Sequence, residues 1–125
     1  MYGLTAVLLG SGATWLASRY LEIPQRNPEG WAALAMRVHG AAAMATLAVV
    51  GGIAGVHAAS AWREGRNRAS GIALGATLVV MAITGYVLYY AGAESARSLA
   101  SVSHWILGLG LPGVLAAHAL LGRRS

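Results

Sequence analysis

Four long apolar stretches, set apart by short polar segments, constrain this 125-residue chain more than any other feature of it. A bilayer core about 30 Å thick is crossed by roughly 20 predominantly apolar residues in an α-helix. Stretches of that kind run over about residues 2–18, 32–61, 69–91 and 98–121, and 38–59 holds no formal charge. Segments rich in Arg, Glu, Asn and Pro, such as 19–30 and 62–68, separate them. Tyr20, Trp31, Trp62, Tyr89, Tyr90 and Trp105 flank the stretches, as an interfacial aromatic belt does. The chain is 57% hydrophobic and 10% charged, against about 25% charged in an average soluble domain. A soluble protein this short keeps much of its chain at the surface and has nowhere to hide so much apolar area. The expectation is a single all-α domain over residues 1–125: a four-helix transmembrane bundle with up-down-up-down topology.

The net charge of +5 comes from nine Arg, with no Lys, against four acidic residues. The arginines sit in short runs between apolar stretches and not along one helical face, which argues against nucleic acid as a partner. There they set orientation. With the N-terminus cytoplasmic, that side holds Arg63, Arg66, Arg68, Arg123 and Arg124, and the other holds Arg19, Arg26, Arg37 and Arg97. Five against four, with the compact 62–68 loop, favours both termini inside. The first stretch opens Met1-Tyr2-Gly3 with no basic lead, so it is expected to be a retained span and not a cleaved signal. The absence of Cys excludes disulfides, iron–sulfur clusters and thioether-linked haem.

All four His fall in the second and fourth stretches: His39 and His57 in one, His104 and His118 in the other. Ionisable residues inside spans are costly and usually functional. His39 and His57 are 18 residues apart, five helical turns, and so share a face. His104 and His118 are 14 apart, about 40° short of four turns, and also share a face. In an up-down bundle the second and fourth helices run the same way. The four imidazoles then form two layers, His39 with His104 near one face and His57 with His118 near the other. Two inward imidazoles from different helices are what axial ligation of haem iron requires. The rises of about 27 Å and 21 Å differ by one turn. Tilt, a kink at Pro112, or a second helix that starts on the membrane surface would have to absorb that difference; otherwise one pair alone is formed. With no Cys and no carboxylate in the spans, a transition-metal transport site fits less well than haem.

Other polar residues are weaker candidates. Arg37 could pair with a haem propionate, as guanidinium matches a carboxylate's two oxygens, or set topology. Tyr86, Tyr89 and Tyr90 fit an interfacial belt better than a quinone contact, and Glu22 and Glu94 fit solvated loops better than proton uptake. Glycines at 51, 52, 55, 71, 75, 85, 108, 110 and 113 fit small-xxx-small packing, or leave room for a flat ligand.

The stretches Arg37-Val-His39-Gly-Ala-Ala-Ala-Met44, Trp62-Arg-Glu-Gly-Arg-Asn-Arg68, Thr84-Gly-Tyr-Val-Leu-Tyr-Tyr-Ala-Gly92 and Ser103-His104-Trp105 with His118 resemble small bacterial four-helix membrane proteins of the cytochrome b type. They are similar to the membrane haem b subunits of nickel–iron hydrogenases and formate dehydrogenases. The resemblance runs from Tyr2 to about Arg124. It implies a bacterial inner-membrane protein in which His39 and His104 hold a haem near the outer face. His57 and His118 would hold one near the inner face, and glycines would let porphyrin approach the backbone. It implies electron transfer between the quinone pool and a partner redox protein. The 18-residue spacing departs from the nearly equal spacings of respiratory cytochromes b.

The expected function is therefore electron transfer through one or two bis-histidine b haems, as a subunit and not a stand-alone enzyme. The alternative is a non-catalytic structural or assembly subunit of a larger membrane complex, which small size, abundant Gly and short loops would suit. A small transporter ranks third. Thr46, Thr77 and Thr84 suggest it, but the spans lack acids and paired broken helices.

Overall fold

A computed structural model of the chain describes residues 2–21, 30–65 and 67–124. The protein is all-α, with helices α1 (Tyr2–Tyr20), α2 (Trp31–Arg63), α3 (Arg68–Tyr90) and α4 (Glu94–Arg124), and no strand among the described residues. Each apolar stretch has become one helix. Glu94 opens α4, where a carboxylate suits the positive end of the helix dipole. Trp105 therefore lies in the interior of α4 and not at its boundary. α4 continues past Pro112. α2 has 33 residues, a length of about 50 Å that exceeds a bilayer core.

Among the described residues three helices are long and apolar enough to cross a membrane: Trp31–Arg63, Arg68–Tyr90 and Glu94–Arg123. α1, with 19 residues, is not one of them. Thr5, Ser11, Thr14, Ser18 and three glycines dilute its apolar content, and Arg19 closes it. The described chain forms two compact units, Met1–Gly55 and Val56–Ser125, with the boundary inside α2. The loop positions Glu22, Arg26 and Arg66 lie outside the described residues.

In the first unit α1 meets the N-terminal half of α2 through Ser11 and His39. In the second, α3 packs along α4, with Met81 lying where a Cβ on Gly108 would meet its Cε at 3.6 Å. The buried residues are mostly small: Ala35, Ala42, Ala100, Ser11, Thr46 and Thr84, with Leu111 and Leu115 the large exceptions. Bulky side chains such as Met44, Val56 and Leu99 point outward, each at least 70% exposed. Small residues at helix contacts and large apolar ones outside is the arrangement expected where lipid is the solvent. The hydroxyls of Thr46 and Thr77 donate to the carbonyls of Ala42 and Ala73, each at 2.8 Å, so both are satisfied within their own helix. By contrast, a Cβ at Gly51, Gly55 or Gly75 meets nothing within 4 Å, so these glycines do not make the small-xxx-small contacts their spacing suggests.

The turn between α2 and α3 is locked locally. The Arg68 guanidinium lies 5.0 Å over the Trp62 ring and donates to the Trp62 carbonyl. Gly65 (φ 72°) and Asn67 (φ 50°) supply the two left-handed residues, a conformation Asn tolerates better than other side chains. With its amide turned to suit, Asn67 donates to the Leu121 carbonyl at 3.3 Å and accepts from the Gly122 N–H at 2.7 Å. Asn67 thus opens α3 with its backbone carbonyl, which accepts from the Gly71 N–H at 2.9 Å, while its side chain ties down the end of α4. Replacement of Asn67 by Ala removes both side-chain bonds and the left-handed preference. It is expected to destabilise the α3–α4 unit by about 1–2 kcal/mol, measurable by reversible denaturation in detergent micelles.

Candidate metal centre

Three of the four histidines are held in one way. His39 Nδ1 on α2 lies 3.0 Å from the Ser11 hydroxyl of α1. His118 Nδ1 on α4 lies 3.0 Å from the Ser70 hydroxyl of α3. His104 Nδ1 on α4 lies 2.8 Å from the Thr84 hydroxyl of α3. In each case the hydroxyl spends its own hydrogen on its helix backbone: Ser11 on Val7 at 2.6 Å, Ser70 on Asn67 at 3.1 Å, and Thr84 on Val80 at 2.8 Å. With its hydrogen on the backbone carbonyl the hydroxyl accepts from Nδ1, the arrangement in which Nδ1 is the protonated nitrogen of each ring. His39 makes the point twice, because its Nδ1 also lies 3.1 Å from the Leu8 carbonyl, which can only accept. A neutral imidazole protonated on Nδ1 carries its lone pair on Nε2. Metal-ligating histidines are characteristically oriented by just such an Nδ1 donor bond.

A glycine follows each hydroxyl. A Cβ on Gly12 would lie 3.3 Å from His39 Cε1, one on Gly85 3.5 Å from His104 Cε1, and one on Gly71 3.7 Å from His118 Cε1. The missing side chain admits the edge of the imidazole beside its hydroxyl partner. Ser11-Gly12, Ser70-Gly71 and Thr84-Gly85 are the three Ser/Thr–Gly dipeptides of the sequence, and each grips one histidine. The 14 residues from Ser70 to Thr84 on α3 match the 14 from His104 to His118 on α4, run in the opposite direction. The two helices are therefore in one antiparallel register along both contacts.

The structure brings His57 and His118 together. Their ring centroids are 6.2 Å apart and their planes are inclined at 77°. An in-line hydrogen bond between two imidazoles would bring the centroids to about 5 Å. Two imidazoles gripping one metal ion from opposite sides, each nitrogen about 2 Å from it, hold their centroids about 6 Å apart. The observed distance suits one atom between the rings, although an edge-on ring pair also falls in this range. Among the described residues no group of three or more metal-binding side chains forms, and the candidate donors are the two imidazoles. That pair fits a metal whose remaining positions are filled by a macrocycle.

Arg37 is exposed on α2 and projects about 200° around the helix from His39, so the two leave the helix in nearly opposite directions. Tyr86, Tyr89 and Tyr90 form an exposed aromatic cluster at the end of α3, with centroids 4.7 Å apart for Tyr86–Tyr90 and 5.8 Å for Tyr89–Tyr90, as a belt residue set would. Glu94 is exposed in the first turn of α4. The residues that the spacing of the histidines did not reveal are Ser11, Ser70 and Thr84.

No known protein family, curated protein or solved structure matches the chain.

The tether assigns a tautomer that is directly observable. In ¹⁵N-imidazole spectra of the haem-free protein in micelles, His39, His104 and His118 should show protonated Nδ1. Ser70→Ala should shift His118 alone toward the Nε2-protonated form that free imidazole side chains prefer. Gly85→Ala should leave His104 unmoved, since 3.5 Å is ordinary contact, whereas Gly85→Leu should displace its ring.

Proposed function

We propose that this chain is a membrane b-type cytochrome, an electron-transfer subunit that binds haem between histidines of α2 and α4. The observation that carries the proposal is the His57–His118 pair, two imidazoles from different helices with centroids 6.2 Å apart and His118 held by Ser70 so that Nε2 is its ligating nitrogen. The same tether orients His39 within its own unit and His104 within the other, and each is a candidate ligand of a second haem.

Bound haem supplies a reversible one-electron couple. The residues of the chain do the rest. His118, His104 and His39 keep Nδ1 protonated and offer Nε2 in a fixed direction, so little ring reorientation accompanies a change of iron charge. Gly12, Gly71 and Gly85 let each ring sit against its hydroxyl. Apolar side chains around the helices keep the site in lipid. Electrons are proposed to pass between the quinone pool and a partner redox protein at a bacterial inner membrane, with both termini cytoplasmic.

Purified from haem-replete cells, the protein should show a reduced-minus-oxidised b-type spectrum with two haems per chain. His118→Ala and His104→Ala should each lower that ratio to one. A colourless preparation, or an unchanged ratio in both variants, would defeat the proposal.

A further inference from the structure

The two members of the His57–His118 pair are held unequally. His118 is partly buried, its Nδ1 is fixed by Ser70, and Gly71 seats its Cε1 edge. His57 is exposed, as is every residue of α2 from Gly51 through Ala59. Among the described residues neither nitrogen of its ring has a hydrogen-bond partner. The nearest hydroxyl in sequence, Ser60, is one turn further on and donates instead to Glu64 Oε1 at 2.6 Å. So His57 has nothing to fix its tautomer or ring angle, and the ring must be ordered anew each time it binds a metal. Loss of such an orienting partner typically weakens a ligand's hold about 10–100-fold.

We propose that His57 is an exchangeable ligand, and that the metal site it shares with His118 admits a small neutral π-acceptor of the carbon monoxide class on the His57 side while His118 retains the metal. The inference rests on the haem-binding role proposed above. The exchange is a simple substitution. The bond from His57 Nε2 to ferrous iron breaks and keeps its electron pair on nitrogen, and the carbon lone pair of the entering molecule forms the new bond. The iron stays ferrous, and no proton or electron is transferred.

The test uses the full-length haem-loaded protein in detergent, reduced and titrated with carbon monoxide, with optical spectra as the readout. In the wild type, carbon monoxide is expected to perturb one of the two haems. His57→Ala should retain more haem than His118→Ala and bind carbon monoxide more tightly than the wild type, since no internal ligand competes. Added imidazole should restore its six-coordinate spectrum. His118→Ala should lose that haem, with no recovery on adding imidazole. Equal haem loss in the two variants, or reduced spectra of wild type and His57→Ala that carbon monoxide leaves unchanged, would overturn the inference while leaving the cytochrome reading intact. A wild-type protein without haem would overturn both.

Discussion

A serine or threonine hydroxyl has one hydrogen, and in Ser11, Ser70 and Thr84 that hydrogen goes to a backbone carbonyl of the hydroxyl's own helix. The oxygen is left as an acceptor, and the imidazole facing it must supply the N–H. This single constraint fixes the tautomer of three histidines, the direction of their Nε2 lone pairs, and the register in which α3 lies against α4. In lipid the alternative is an unsatisfied polar group in hydrocarbon, so the bond is retained even though each one contributes only about 1 kcal/mol. A glycine follows each hydroxyl; at Gly12 a Cβ would come within 3.3 Å of His39 Cε1, a tight approach, while at Gly71 and Gly85 it would make ordinary contact.

The packing of the chain follows from the same solvent. Small residues are buried, and bulky apolar ones face out. The side chains that in water would make a core here meet acyl chains, which leaves polar contacts to specify how helices pair. Histidine suits that purpose, since Nδ1 joins two helices in His39, His104 and His118. A histidine without that bond, such as His57, is correspondingly less fixed.

Much of this was legible in the sequence. The four helices followed from apolar length alone, although α4 begins at Glu94, a residue expected in the loop before it. The grouping of His57 with His118 followed from helical phase and depth. The first helix fell short of the hydropathy of a span because the polar residues that dilute it include Ser11, the partner of His39. That role was not visible from one helix's periodicity, since a hydrogen bond between helices depends on register, which composition does not set. A signal was nevertheless present: the 14-residue interval between Ser70 and Thr84 repeats the interval between His104 and His118, and each hydroxyl precedes a glycine. The small-xxx-small spacings of Gly51–Gly55 and Gly71–Gly75 pointed to close helix contact. Of these only Gly71 has a neighbour within 4 Å of where a Cβ would lie, His118 Cε1 at 3.7 Å, an ordinary contact.

Low-temperature electron paramagnetic resonance of the oxidised full-length protein tests most directly whether His57 and His118 share one iron. The account predicts a low-spin ferric signal from iron held by two imidazoles, and the part of it that comes from this pair disappears in His118→Ala. A spectrum holding only high-spin iron, or one that His118→Ala leaves untouched, would contradict it.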